Sequence, residues 1–105
     1  MIKVKITPYG FYCTGHANAG EYGSDIVCAA VSALVQATVI ALHKTCFARH
    51  TIESGYVGVD YKKTKYTTDI IDYMVLPMRL GLAEIAKKYP DKVVVEDESI
   101  KAAIF

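Results

Sequence analysis

His16 and Cys28 are the two side chains in this sequence whose types and spacing could do chemistry together. An imidazole can take the proton of a thiol and later return it to a leaving group, and the thiolate is a strong nucleophile toward a carbonyl carbon. Between them lies Gly15-His16-Ala17-Asn18-Ala19-Gly20-Glu21-Tyr22-Gly23, where Gly15, Gly20 and Gly23 add backbone freedom and no packing surface. The stretch therefore reads as a loop. Ser24 or Asp25 can accept hydrogen bonds from the unpaired N–H groups of a starting helix, and the apolar run over residues 26–42 follows at once. Cys28 falls in the first turn. A helix N-terminus carries partial positive charge and unpaired donors, which favour a thiolate over a thiol. A histidine across a short loop can reach back to that sulfur, and the pair is the minimum equipment for acyl transfer.

A free cysteine on an apolar helix is more often a packing residue than a nucleophile. The pair also lacks the Cys-Gly-Ser-Cys-Trp signature of papain-like enzymes, in which histidine lies far downstream. The surrounding residues are more specific. Thr14-Gly15-His16-Ala17, a short loop, and then Gly23-Ser24-Asp25-Ile26-Val27-Cys28-Ala29-Ala30-Val31-Ser32-Ala33-Leu34 closely resemble the Prp family of ribosomal-processing cysteine proteases. The resemblance extends over the chain in length and element order. It implies that His16 and Cys28 are a catalytic dyad and that the acidic residue three before the cysteine, Asp25, matches the family pattern. It also implies a homodimer, and a substrate that is the N-terminal extension of a large-subunit ribosomal protein. Asp25 could orient His16 or simply cap the helix beside Ser24, and both roles stay open.

The elements that must hold this pair can be read in order. Ile2, Val4 and Ile6 alternate with Lys3, Lys5 and Thr7, the period of a strand with one wet face, and Pro8-Tyr9-Gly10 turns into a second strand over residues 11–14. A long helix is predicted over residues 25–44, apolar nearly all round and therefore central, covered by the sheet on one side and by a helix or a second subunit on the other. As a membrane span it is marginal in length, and it holds Ser32, Gln36 and Thr38. A hairpin over residues 49–62 turns at Ser54-Gly55. Lys62, Lys63 and Lys65 form a small basic cluster after it that reads as a solvated tip, with contact to ribosomal RNA as the alternative, and it is assigned no role.

A second helix, capped at residues 67–69, runs to about residue 88 with Ile71, Met74, Val75, Met78, Leu82 and Ile85 on one face. Asp72, Arg79, Glu84 and Lys87 are assigned to its outer face, with a kink from Pro77 near Tyr73. Residues 92–96 are a last strand. The order ββαββαβ argues for an α+β fold, a two-layer α/β sandwich with a mostly antiparallel sheet and two long helices. With 105 residues it is expected to be one domain, residues 1–105.

Composition narrows the partners. A net charge of +1 offers no strong field for a polyanion, so no direct nucleic-acid binding is expected. Three cysteines at irregular spacing with no leader segment point to reduced thiols in the cytoplasm, and no membrane contact is expected. Cys13-x-x-His16 and His43-x-x-Cys46 offer ligands that zinc accepts, but a helix between them would hold the pairs roughly 20–25 Å apart. Cys13 and Cys46 are therefore read as packing residues, His43 and His50 as surface histidines. Acyl transfer by Cys28 needs no metal or organic cofactor. The rival class is a non-catalytic ribosome-associated protein that binds peptide with its tyrosines and loop, and a reactive Cys28 separates the two.

Overall fold

The computed structural model describes residues 1–15, 26–61 and 68–98. Its elements are β1 (Ile2–Thr7), β2 (Gly10–Thr14), α1 (Ile26–Cys46), β3 (Arg49–Glu53), β4 (Tyr56–Asp60), α2 (Thr68–Lys88) and β5 (Val93–Asp97). This is the expected order, and each boundary falls within about two residues of its expected place. The strands form one sheet in the order β3-β4-β2-β1-β5. Three of its pairings are antiparallel, and β1 lies parallel to β5.

Alternation decides which face of the sheet is covered. Ile2, Val4 and Ile6 of β1 are buried, as are Phe11 of β2, Val59 of β4 and Val93 of β5, and register puts all of them on the side of the helices. Lys3 and Lys5, Tyr12 and Thr14, Tyr56 and Gly58, and Val94 and Glu96 point the other way. The described residues thus form two layers, with both helices on one face of the sheet and no described element on the other.

On α1 the stripe Val27, Val31, Val35, Val39, Leu42 and Cys46 is buried at three- and four-residue intervals. By length and composition α1 could cross a membrane, yet this stripe is part of the core shared with the sheet and α2. Its opposite side is uncovered: Ile26, Ala29, Ala30, Ala33, Ala37 and Ile40 are exposed. The helix ends in a left-handed cap at Phe47 (φ 56°), whose N–H donates to His43 O at 3.1 Å, and the chain turns into β3. A non-glycine residue in that conformation is uncommon, and the Phe47 ring is exposed.

Within α2, Ile71, Val75, Met78 and Leu82 are buried, with Met74 and Ile85 packed at the edge of the core. The helix runs through Pro77, which lies on its exposed side. Gly81 lets the two helices approach closely, since a Cβ there would stand 3.0 Å from Leu34 Cδ1. One assignment is corrected. Arg79 is not on the outer face but 4% exposed, its Nε donating to Asp97 Oδ2 at 2.9 Å. The helical period explains it, because residue 79 lies four after Val75 and three before Leu82, and the last strand brings a carboxylate to meet it. Beside this pair Tyr61 is buried, its O–H donating to Thr7 O at 3.5 Å. Burial pushes the Tyr61 phenol up to about 12, helped by the negative charge of Asp72 and opposed by Arg79.

Candidate active site

Cys28 is the third residue of α1, within the first turn, where the N–H groups have no carbonyl of their own helix to bond. It is half-buried on a helical backbone, packed at the margin of the core between the buried Val27 and Val31. The helix forms here because apolar residues recur along one side from Val27 onward with no β-turn residue among them.

At the end of β2 the chain leaves the sheet through Gly15, which sits at φ +91°. A side chain there would be strained by the left-handed backbone, and its Cβ would run into the Met1 carbonyl oxygen. The Gly15 N–H donates to Gly55 O at 3.2 Å, tying the start of the loop to the turn between β3 and β4. Gly15 is therefore a fixed launching point, held between the first residue of the chain and the β3–β4 turn. Of the other residues predicted to act, His16, Gly20, Gly23, Ser24 and Asp25 lie outside the described residues, as does the rest of the glycine-rich loop.

Cys13 packs against the core, in keeping with its reading as a packing residue, and it also lies close to Cys28. It pairs with Val4 and Val57 and so faces the helix layer, half-buried, two residues before Gly15. Burial pushes its thiol up to about 11, and the negative charge of an ionised Cys28 adds to the effect. Cys13 thus stays a neutral thiol at physiological pH in the electrostatic range of Cys28. The alternation of Phe11 and Cys13 on β2 was the available signal. What the sequence could not show is that α1 begins over that end of the strand.

The third cysteine belongs elsewhere. Cys46 is buried at the far end of α1, its S–H donating to Met74 Sδ at 3.8 Å. His43 and His50 are exposed, with ring centroids 4.2 Å apart. Because α1 is continuous, Cys28 and His43 are separated by about 22 Å of helix at 1.5 Å per residue, so the C-terminal His-Cys pair cannot join the site at the N-terminal end. The arrangement at that end is a thiol in a donor-rich first turn, a neighbouring thiol that keeps its proton, and a clamped glycine that leads into His16.

Residues 1–94 match the family model described as cysteine protease Prp. The ribosomal processing cysteine protease Prp of Mycoplasma genitalium is 30% identical over 100 residues, covering 94% of this chain and 98% of that protein. Two crystal structures share the fold. SMU.848 from Streptococcus mutans superposes with a TM-score of 0.76 at 30% identity, over 92% of this chain and 96% of the other. The ribosomal processing protease Prp of S. aureus, in complex with a covalently linked product peptide, gives 0.72 at 24% identity, over 92% and 97%.

Proposed function

This chain belongs to the Prp family of cysteine proteases, and from that premise we propose that it removes the N-terminal extension of a large-subunit ribosomal protein with His16 and Cys28 as its dyad. The observation that carries the reading is the seat of Cys28 in the first turn of α1, half-open to solvent. His16 takes the Cys28 proton, or holds the thiolate as an ion pair, and the sulfur attacks the carbonyl carbon of the scissile peptide. Negative charge developing on the carbonyl oxygen is met by the unpaired N–H groups around Val27 and Cys28. Collapse of the tetrahedral species breaks the C–N bond. The amine leaves with the proton from His16, and water, giving a proton to His16, releases the acid from the thioester. Asp25 orients His16 or caps α1 together with Ser24. Residues 17–23, Gly20 and Gly23 among them, act as a lid that closes when an extended peptide docks.

The covalently linked product peptide of the S. aureus protein supports a covalent route. A ribosomal substrate is supported by the name of the Mycoplasma relative. Residues 1–105 act as one domain, in the cytoplasm, where the free thiols fit a reducing compartment. The protein is a homodimer, for which the exposed apolar side of α1 offers a surface. The decisive experiment incubates precursor ribosomal protein with wild type and with Cys28→Ala and follows its mass. Wild type shortens the precursor and the variant leaves it intact. A precursor left whole by wild type, or still cut by Cys28→Ala, would refute the proposal.

A further inference from the structure

Among the described residues the sheet ends at β3 on one side and at β5 on the other. β5 finishes in Glu96 and Asp97 with Glu98 directly after, charges that discourage a further strand. β3 differs. Its fixed charges, Arg49 and Glu53, stand only at its two ends, every one of its residues is exposed, and its register with β4 runs without a bulge. At its middle are Thr51 and Ile52, both β-branched and suited to strand pairing, and Ile52 is 44% exposed.

The register fixes which main-chain groups face outward. β3 and β4 are joined by the two-residue turn Ser54-Gly55, so Glu53 and Tyr56 exchange both of their hydrogen bonds. The alternation of an antiparallel pair gives the same to Thr51 with Gly58 and to Arg49 with Asp60. His50 and Ile52 belong to the other kind of pair, so their N–H and C=O groups point out of the sheet edge. Their side chains lie on the helix side, in line with Val59 and Val57.

This edge leads to the catalytic end. α1 passes through Phe47 and Ala48 straight into β3, so the two run in opposite senses, and the His43 ring meets the His50 ring at the C-terminal end of the helix. Cys28 therefore lies beyond the other end of β3, where the Gly55 carbonyl accepts from the N–H of Gly15 and the chain goes on to His16. The helix covers about 22 Å from His43 to Cys28 and the strand about 10 Å from His50 to Glu53, which leaves roughly 12 Å to the nucleophile. About four extended residues span that distance.

We propose that β3 is a docking strand for the substrate: a segment of the precursor extension about four residues from the scissile bond adds to the sheet, bonded to the main chain of His50 and Ile52, with an apolar side chain laid on Ile52. The inference rests on the protease reading above. Main-chain bonding supplies affinity for an extended chain, and Ile52 sets preference at one position. A terminal extension has its main-chain groups free for such pairing, whereas the helices and inner strands of folded proteins have theirs already bonded.

The test measures KM and kcat on precursor protein and on a short peptide confined to the scissile bond and its immediate neighbours. Ile52→Pro removes one outward N–H that is not part of the β3–β4 ladder, a position where an edge strand tolerates proline, and folding is checked by circular dichroism. It should raise KM for the precursor roughly 2- to 12-fold, the value of one hydrogen bond, and narrow the advantage of the precursor over the short peptide. Ile52→Thr keeps strand propensity and should relax the preference for an apolar residue at one substrate position. With wild-type enzyme, single N-methylation along a synthetic extension removes one donor at a time, and the sensitive positions on the docked segment should fall on every second residue. Absence of that alternation, or an unchanged KM in the folded proline variant, would overturn the proposal. A dimer lost on Ile52→Pro in sedimentation velocity would reassign the edge to a second copy of this chain. If wild type leaves the precursor whole, the protease reading fails and the docking strand with it; if wild type cuts but the scan shows no alternation, only the docking strand fails.

Discussion

At Gly15 the chain takes a left-handed turn, donates its N–H to Gly55 and passes the Met1 carbonyl too closely for any side chain. Gly15→Ala would cost about 1–2 kcal/mol for the backbone conformation alone, and the clash adds to it. Since His16 follows directly, the variant should lose melting temperature and most of its cleavage rate together, measured by thermal denaturation and precursor turnover. The cysteines divide in the same local terms. Cys46 is sealed in the core and Cys13 holds its proton until about pH 11, so iodoacetamide near neutral pH should modify Cys28 well ahead of both, as peptide mass mapping would show. Equal labelling of the three would mean that the helix start confers no selectivity. Of these features the sequence exposed Gly15 and Cys28 directly, through a glycine-rich run and a cap followed by an apolar run. It did not show that Gly55 accepts from Gly15 or that Cys13 lies close to Cys28, because both relations run between elements distant in sequence.

Elements were legible where one period dominated. β1 alternates strictly, and α2 shows its core residues at three- and four-residue steps, so both were readable without tertiary information. Arg79 was misread because charge was allowed to outweigh angle: its position on α2 points into the core, and only the arrival of Asp97 from β5 makes that tolerable. The parallel pairing of β1 with β5 was equally out of reach, since no local residue pattern specifies which strand an edge will accept. A buried ion pair that loses one partner strands the other charge. Asp97→Ala should therefore destabilise by about 3–5 kcal/mol, read from urea denaturation, whereas a joint Arg79→Met and Asp97→Leu replacement should recover most of that loss. Failure of the double variant to recover would mean that the pair also fixes the geometry of β5.

Across the whole molecule, two weak acids, the half-buried Cys13 and the buried Tyr61, make stability fall in alkali. Both the Cys13 thiol and the Tyr61 phenol hold their protons more tightly when folded, toward about 11 from the ordinary 9.0 and toward about 12 from the ordinary 10.0. Their contribution is complete below the unfolded values and is lost as pH rises through the folded ones. The unfolding free energy should then decline from about pH 9 upward, and Cys13→Ala should remove the earlier part of that decline, measured by denaturant titration at each pH. The uncovered side of α1 makes a separate demand. If it is where two copies of the proposed dimer meet, a charge there should separate them, so Ala33→Glu should give a monomer in sedimentation velocity while the circular dichroism spectrum is unchanged. An unaffected dimer would move the contact elsewhere.

The parallel neighbours β1 and β5 stand at opposite ends of the described chain. During synthesis the first strand emerges early, but the partner that completes its hydrogen bonding is made only after both helices and the β3–β4 hairpin have been translated. Until the ribosome has passed Asp97, β1 keeps an open edge and Arg79 has no counter-ion. A nascent chain released early would expose a strand template for aggregation, and the β1–β5 pairing, the most distant in sequence among the described strands, should be the slowest contact of the sheet to form.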